Sequence, residues 1–303
     1  MKKIRNVVAL VGLLAGFVTH GQQQVMFTQY MFNGLAINPA YAGSHETMSV
    51  TALARQQWTG LDGAPSTQTL SVHSPLKNER FSLGMLFLHD KIGVTEQNGI
   101  YGSYAYRIPI NKKGKLAFGL QGGATFYNAK FSKVSLTDPT FTSDIRLGQP
   151  NIGFGMYYNT DRFYAGLSMP QLIQTTFDKN NPDSDSKLIR HYFASAGYVF
   201  DLSPQVKLKP NILIKAVPGA PVEFDLNVNA LLRDIFWVGI SWRTFDSFDA
   251  ILQFQVNEQL QVGYSYDFAT TTDLKRVNGG SHELMVSYRF TFSKSRIVTP
   301  RYF

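Results

Sequence analysis

The chain has 303 residues, a formal net charge of +8 at pH 7 and no cysteine, and 14% of its residues are aromatic. Only 17% are charged, against about 25% in ordinary soluble domains. The basic residues form no Lys/Arg stripe, which argues against nucleic-acid binding, and the lack of cysteine excludes a disulfide framework. Beyond the N-terminal region no apolar run reaches about 18 residues, which excludes helical membrane spans.

The first 21 residues have the pattern of a secretory signal peptide. Lys2, Lys3 and Arg5 precede a twelve-residue apolar stretch at 7–18, and the small residue Gly21 precedes a plausible cleavage site. Such a stretch is too short to span a bilayer as a helix. Removing residues 1–21 would take away three cations and lower the formal charge from +8 to +5. An uncleaved N-terminal anchor is the alternative interpretation.

Residues 22–45 interrupt the pattern of the rest of the chain. Phe27, Tyr30, Met31 and Leu35 have helical spacing, and Asn38-Pro39 should end the helix. We expect a short amphipathic lead-in segment that plugs a lumen, packs under a barrel or faces a periplasmic partner.

Residues 46–292 alternate between apolar and polar with a period of two, which is the signature of β-strands. In 222–230, for example, Phe224, Leu226 and Val228 alternate with Asp225 and Asn227. The pattern predicts fourteen strands, at 46–58, 66–75, 80–89, 98–109, 115–128, 151–158, 162–168, 190–201, 206–215, 221–231, 235–243, 248–256, 259–268 and 281–292.

Strand length favours a membrane barrel over a soluble sandwich. Runs of about ten residues, tilted by about 40°, reach about 25 Å, the height of an outer-membrane apolar band. Soluble strands average about 5–6 residues. Aromatic residues also gather near the predicted strand ends, as in an interfacial girdle; they are Trp58, Tyr157, Tyr158, Phe163, Phe200, Trp242 and Phe268.

The connectors alternate between short and long. The long ones, 129–150, 169–189 and 269–280, all follow odd-numbered strands. Bacterial barrels have short periplasmic turns and long outer loops. The predicted fold class is therefore all-β: an antiparallel transmembrane β-barrel of the outer membrane with about 14 strands and an N-terminal periplasmic or plug segment. Separately, we expect both termini to lie in the periplasm, with a C-terminal periplasmic tail at 293–303.

Glycine and proline positions fit this prediction. Gly119, Gly153, Gly155 and Gly197 fall on the expected inner face, where they would relieve crowding or let the wall bend, and Pro150 is placed in a connector.

Little in the sequence points to catalysis or to a cofactor. No G-x-S-x-G elbow occurs, and Ser281 and His282 are strand neighbours that should point to opposite faces. No histidine or cysteine pair suggests a metal site. The loop with Asp178, Asn180, Asn181, Asp183 and Asp185 could hold Ca²⁺, although solvated turn chemistry is the simpler explanation. We predict no enzyme, no cofactor and no resident metal.

Charged residues on the expected lumen face leave two interpretations open. Glu223, Asp225, Arg243, Asp267, Glu283 and Arg289 could define a selective pore, or they could pair and fill the interior.

Several short blocks resemble one protein family. Gln29-Tyr30-Met31-Phe32-Asn33 and the block at 37–44, Ile-Asn-Pro-Ala-Tyr-Ala-Gly-Ser, are similar to the start of the PorP/SprF family of type IX secretion system membrane proteins. The blocks at 55–60 and 64–68 and the tail at 300–303 also fit. The matched blocks cover about a quarter of the chain, and 129–280 shows only general barrel character.

The resemblance implies an outer-membrane component of the Bacteroidota type IX system, tied in some members to gliding motility. Such proteins assist secretion or surface attachment of large cargo proteins with C-terminal export domains. Implied partners are outer-membrane lipids, the cargo or adhesin domain, periplasmic ring components and a peptidoglycan-binding lipoprotein. The implied partner-binding residues are Gln29, Tyr30, Asn33, Asn38, Pro39, Tyr41, Gly43, Arg55, Trp58, Arg301, Tyr302 and Phe303.

Two other functions remain as alternatives. A passive porin or solute transporter predicts an open lumen, and a lipid-modifying barrel enzyme would need Ser281 and His282. For the block at 38–43, the simplest interpretation is that it only turns the chain into the first strand.

Overall fold

The computed structural model describes residues 24–111, 113–133, 144–174, 189–270 and 278–290. The predicted signal peptide, the loop at 178–185 and the C-terminal tail lie outside these residues. In the described ranges, no helix has the length and apolar character needed to cross a membrane.

The described residues form one antiparallel sheet that closes on itself. Consecutive strands pair with one another, with one exception described below, and the last strand pairs with the first, Met48 opposite Phe290. The strands are β1 Met48–Gln56, β2 Ser66–Pro75, β3 Phe81–Ile92, β4 Thr95–Pro109, β5 Lys115–Ala129, β6 Ile145–Asn159, β7 Phe163–Met169, β8 Tyr192–Tyr198, β9 Phe200–Ser203, β10 Val206–Ala216, β11 Glu223–Leu232, β12 Phe236–Arg243, β13 Ser247–Gln255, β14 Leu260–Ala269 and β15 Ser281–Phe290.

The predicted fold class is confirmed: β8 and β9 both pair with β10 and together make one wall strand, so the barrel has fourteen. The eighth predicted strand is interrupted at Val199, which is buried and donates its N–H to the Arg162 carbonyl at 2.8 Å. The register of β9 against β10 also shifts after Val206. An irregular backbone at this point explains the break that periodicity alone did not predict.

Alternation along each strand separates a membrane face from a lumen face. In β11, Phe224, Leu226 and Val228 are exposed, whereas Asp225 and Asn227 are buried. The strand pattern read from the sequence therefore has the correct phase. Among the predicted girdle residues, Tyr157 is an exception, because it lies on the lumen face with 5% exposure.

Three strand boundaries differ from the prediction by three to six residues. β6 begins at Ile145 rather than at 151, so Pro150 lies within a strand. β3 and β4 extend to Ile92 and from Thr95, which leaves a two-residue hairpin between them.

The two ends of the barrel differ in their connectors. The strand ends that flank connectors 130–144, 170–191 and 270–280 lie at one end, which we call the long-loop end. Connectors 76–80, 110–114, 160–162, 204–205, 233–235 and 256–259 lie at the other, the short-turn end, together with the start of β1 and the end of β15.

Candidate functional site

The lumen of the barrel is occupied by residues 24–45, which we call the lumen segment. Its apolar side chains form two buried clusters with the inner wall. The first is built on Phe27, Tyr30, Met31, Phe32 and Ile37. The second is built on Leu35, Ala40, Tyr41 and Ala42. Burial of this many large side chains inside a polar-lined wall is the main apolar stabilisation of the segment.

The lumen segment is not the single amphipathic helix that the spacing suggested. It forms three one-turn 3-10 helices, at Tyr30–Phe32, Gly34–Ala36 and Pro39–Tyr41. Asn38 does not end a helix but begins one, because its side-chain oxygen accepts the Ala40 N–H at 2.9 Å and Pro39 occupies the first helical position. Polar wall groups on several sides can satisfy the backbone of a tightly turned segment, which removes the need for a regular helix.

The lumen segment runs along the barrel axis. Thr28 contacts Asp267 and Glu283, which lie close to the long-loop ends of β14 and β15. Gly43 contacts His73, close to the short-turn end of β2. The chain therefore runs from the long-loop end at Gln24 to the short-turn end, where it continues into β1.

Charged side chains hold the upper part of the segment, by which we mean the part nearest the long-loop end. Glu283 accepts the backbone N–H groups of Thr28 and Gln29 at 2.9 and 2.8 Å. The Arg55 guanidinium lies 2.6 Å from Asp267 and 3.3 Å from Glu283, and it donates to the Thr28 hydroxyl at 2.9 Å. Hydrogen bonds to charged partners in a water-poor interior are about twice as strong as neutral ones. We call Arg55, Asp267 and Glu283 the upper ion cluster.

Arg243 forms a second ionic contact beside this cluster. It pairs with Asp225 and with Asp246, each at 3.0 Å, and one of its N–H groups reaches the Phe27 carbonyl at 3.4 Å. Lys215 pairs with Glu223 at 3.5 Å. Five of the six charges predicted on the lumen face therefore pair with other charges or with the segment, and Arg289 donates to Gln261 at 3.5 Å. This favours the filled interior over the selective pore.

Neutral and cationic groups hold the lower part of the segment, which is the part nearest the short-turn end. The Asn38 amide donates to the wall carbonyls of Met156 and Leu167 at 2.9 and 3.3 Å. Ser168 donates to the Ile37 carbonyl at 2.8 Å. Arg107 donates to the carbonyls of Ala42 and Gly43, the first at 2.7 Å. The segment is thus fixed at both ends by side chains from opposite walls.

Inward glycines make room for the segment, as expected for Gly119 and Gly155. A Cβ atom at Gly155 would meet the Asn38 side chain, and one at Gly84 would lie 3.1 Å from Leu35. Gly153 and Gly197 instead clear space for Pro170 and for Tyr164 and Asn211.

The structure brings most of the sequence-predicted partner residues together, but inside the barrel. Eight of them are buried in or against the lumen segment: Gln29, Tyr30, Asn33, Asn38, Pro39, Tyr41, Gly43 and Arg55. Trp58 lies apart in the hairpin after β1, and its backbone N–H donates to Ser281 at 3.3 Å. Arg301, Tyr302 and Phe303 are outside the described residues.

The sequence did not single out several wall residues that hold the segment, among them Arg107 and Ser168. A usable signal existed for Arg107, because it shares the inward parity of Ser103 and Ala105 along β4.

One histidine outside the wall strands has a shifted pKa. His191, just before β8, contacts the Ile189 carbonyl through Nδ1 at 2.9 Å. Burial lowers the pKa of His191 to about 4, and the nearby Lys215 charge adds to the effect. The imidazole is therefore neutral at pH 7.

The residues considered for catalysis are separated by the wall. Ser281 is buried on the lumen side, whereas His282 lies on the outer side and contacts the Tyr264 hydroxyl at 2.7 Å. Across the described ranges, no group of three potential metal ligands occurs.

Comparison with known proteins identifies one family. The sequence model of the family described as "Type IX secretion system membrane protein PorP/SprF" matches residues 19–288. No protein with a curated description matches the chain.

Several solved barrels are similar in fold. The CymD monoaromatic hydrocarbon channel has a TM-score of 0.53 at 14% identity, with 91% of this chain and 96% of CymD covered. The outer membrane protein Omp33 of Acinetobacter baumannii gives 0.47 at 11% identity, covering 81% and 98%. A FadL homologue of Pseudomonas aeruginosa gives 0.46 at 13% identity, covering 90% and 96%. At 14% identity the likeness to CymD bears on the fold alone.

Proposed function

We propose, because the chain belongs to the PorP/SprF family of type IX secretion system membrane proteins, that it assists secretion or surface anchoring of a large cargo protein with a C-terminal export domain. It acts without catalysis, as an adaptor in the outer membrane. A role in gliding motility is part of the same proposal.

The filled lumen is the observation that supports this proposal over a passive porin. A solute channel needs a continuous aqueous path, and here the path is occupied by a segment whose Tyr30, Leu35 and Ala40 are at most 2% exposed. If the segment left, the buried carboxylates of Asp267 and Glu283 would lose the hydrogen bonds from Thr28 and Gln29, which is costly. A protein whose interior is closed in this way is suited to binding at its two ends.

The orientation we propose follows from the connectors. Short turns face the periplasm in bacterial barrels, so the short-turn end, with the tail at 293–303, is placed toward the ring components and the peptidoglycan-binding lipoprotein. The long-loop end, with Trp58, is placed toward the cargo at the cell surface. The buried members of the predicted partner set hold the lumen segment, and we assign partner contact to the two ends.

The orientation also revises one expectation. The lumen segment starts at the long-loop end, so the mature N-terminus is placed on the cell-surface side rather than in the periplasm. The C-terminus keeps its proposed periplasmic position.

An affinity purification of the tagged protein from detergent-solubilised outer membranes tests the proposal. We expect one large surface protein and periplasmic ring components to co-purify. A barrel that is recovered alone, together with a deletion strain that still secretes and displays every surface adhesin, would overturn the adaptor role.

A further inference from the structure

Residues 27–29 of the lumen segment lie against one contiguous strip of the wall. The strip consists of β12, β13, β14, β15 and β1, which follow one another around the barrel, and we call it the wall strip. Three of its hydrogen bonds use the backbone of the segment: Glu283 accepts two successive N–H groups, and Arg243 donates to the Phe27 carbonyl at 3.4 Å. Backbone groups are common to all peptides, so these contacts do not require the sequence of the segment.

Residues 24–29, which we call the leading stretch, are the part of the segment that can leave the lumen most simply. They are joined to β1 only through 30–45, and the proposed cleavage after Gly21 would leave their other end free. None of them belongs to a strand, so their departure would break no strand pairing of the wall. They also lie at the long-loop end, which we place toward the cargo.

The fit between the leading stretch and the wall strip leaves buried polar atoms unpaired. Ser265 stands directly opposite Glu283 on the neighbouring strand, and Asp249 stands directly opposite Asp267. Buried polar groups are normally paired, so the leading stretch is an imperfect occupant of this place. Within the described residues, four atoms of side chains that are at most 3% exposed have no hydrogen-bond partner here: Nε2 of Gln29, Nε of Arg55, Oδ2 of Asp249 and Oγ of Ser265.

Asp249 identifies the chemical group that is missing from the wall strip. Among the described residues its one hydrogen bond comes from the Ser247 hydroxyl, at 2.5 Å, and its other oxygen has none. The guanidinium of Arg243 is engaged by two other carboxylates, and that of Arg55 by Asp267 and a second one. Like charges directly opposite on paired strands are destabilising, and a buried charge without a partner is costly. A cationic side chain that reached Asp249 would relieve both.

We propose that the wall strip is a binding site for a basic peptide of the secreted partner, and that the leading stretch occupies this site until the partner displaces it. The ligand presents two successive backbone N–H groups to Glu283 and a lysine or arginine side chain to Asp249. The lumen is filled before and after the exchange, so binding requires no open pore. This inference rests on the proposed function and locates its cargo contact.

Displacement requires a ligand that binds the wall strip better than the leading stretch does. The leading stretch competes at a high effective concentration, because it is part of the same chain. At this place it offers only the uncharged Thr28, whose hydroxyl donates to Asp267 at 2.9 Å. The additional cation of the partner supplies the difference in affinity.

Binding of a defined probe to the detergent-purified protein tests the site. The probe is a fluorescent hexapeptide that copies 24–29 and has blocked ends, followed by polarisation. We expect saturable binding to a variant that lacks 22–29, and binding at least about tenfold weaker to the unchanged protein, whose own leading stretch competes. If the deletion does not fold, Thr28→Pro takes its place, because it removes an N–H that Glu283 accepts and leaves the wall unchanged.

A second copy, with Thr28→Lys, tests the charge. It should bind the deletion variant about tenfold more tightly than the unaltered copy, and Asp249→Asn in the wall should abolish this advantage. Asp201→Asn is the matched control, since it removes the same charge from an exposed residue at the short-turn end. Asp249→Asn should not lower the free energy of unfolding, because it removes a buried charge that has no partner. Loss of binding in this variant is then distinguished from loss of folding.

Three results would overturn the inference. The first is that neither copy shows saturable binding up to about 1 mM. The second is equal binding to the unchanged protein and to the opened variant, which would place the probe outside the wall strip. The third is an advantage of the lysine copy that is absent, or that persists in Asp249→Asn.

An experiment in cells separates this inference from the proposed function. Asp249→Asn and Asp201→Asn replace the natural protein, and surface display of the cargo is compared with that of a strain that lacks the gene. Loss of display in the strain without the gene and in Asp249→Asn, but not in Asp201→Asn, supports both statements. Loss in the strain without the gene alone rejects only the peptide site, and normal display in that strain rejects the proposed function itself.

Discussion

Gly119 on the barrel wall and Ala40 in the lumen segment approach each other backbone to backbone. A Cβ atom at Gly119 would lie 2.5 Å from the Ala40 Cα, closer than real Cβ contacts allow. The wall and the segment therefore fit only while position 119 has no side chain.

Gly119→Val should displace the lumen segment, because the backbone of Ala40 cannot yield as a flexible side chain would. We expect chymotrypsin to cleave within 27–35 in this variant, whereas the unchanged protein resists. Gly122→Val on the same strand is the control, since a Cβ there meets nothing within 4 Å. Equal resistance of both folded variants would show that the segment tolerates the added bulk.

The unchanged protein should not conduct ions steadily in planar bilayers. The lumen segment is fixed at its upper end by Glu283 and at its lower end by Arg107, so we expect it to block the lumen. Deletion of 24–44, or Gly119→Val if the deletion does not fold, should produce stable conductance steps. Steady channels in the unchanged protein would instead support the porin alternative.

Arg55→Met should strongly destabilise the barrel. The change leaves Asp267 and Glu283 buried without their cation, which typically costs about 3–5 kcal/mol. Unfolding by urea in lipid vesicles measures the loss. Lys115→Met is the control, because its pair with Glu46 at 2.6 Å is about one-third exposed on both sides and should contribute about 0–1 kcal/mol.

Adding Asp267→Asn and Glu283→Gln to Arg55→Met should recover much of that loss, since the uncompensated carboxylates are then gone. A triple variant as unstable as the single one would indicate that Arg55 acts by packing rather than by charge.

An epitope inserted after Gln23 should be labelled on intact cells. The described chain begins at the long-loop end, near Leu88 and Gln97, and we place that end at the cell surface. An epitope in the short turn at 257–258 should be labelled only after the outer membrane is permeabilised. The opposite result would reverse the proposed orientation.

Stability should fall in acid through His191. Its folded pKa of about 4 is below the ordinary value of 6.5, so the unfolded chain binds the proton more readily. Stability is then complete above about pH 6.5 and declines as the pH falls toward 4, by up to about 3 kcal/mol.

His191→Gln should flatten that part of the profile of unfolding free energy against pH. A comparison at pH 8, where the imidazole is neutral in both states, measures the packing effect of the substitution separately. An unchanged slope between pH 6.5 and 4 would assign the acid sensitivity to other groups.

The wall could be predicted from the sequence because its information is local. Alternation such as that of Phe224 and Asp225 specifies both the strand and its face. The start of β6 was missed because Pro150 was taken as a connector residue, and only the sheet shows that its missing N–H falls on the side of β6 away from β5, beyond the part that pairs with β7.

The interior of the barrel could not be predicted in the same way. Thr28 and Glu283 are 255 positions apart, and no local pattern pairs them. The apolar residues around Tyr30 and Met31 have the spacing of a helix, but the segment forms 3-10 turns there, where polar groups of the wall contact it. Arg55 was selected by family resemblance, and only the structure shows that its guanidinium bridges two buried carboxylates.

The contact between Thr28 and Glu283 also has a consequence for the order of assembly. Glu283 lies on β15, the strand that pairs with β1 and closes the circle, and Thr28 lies on the stretch that leads into β1. Pairing of β1 with β15 and placement of the lumen segment therefore involve the same two ends of the polypeptide. The contacts of Thr28 and Gln29 with Glu283 cannot form before β15 is in place, so a barrel that lacks its last strand would hold the segment only through other strands such as β4 and β7.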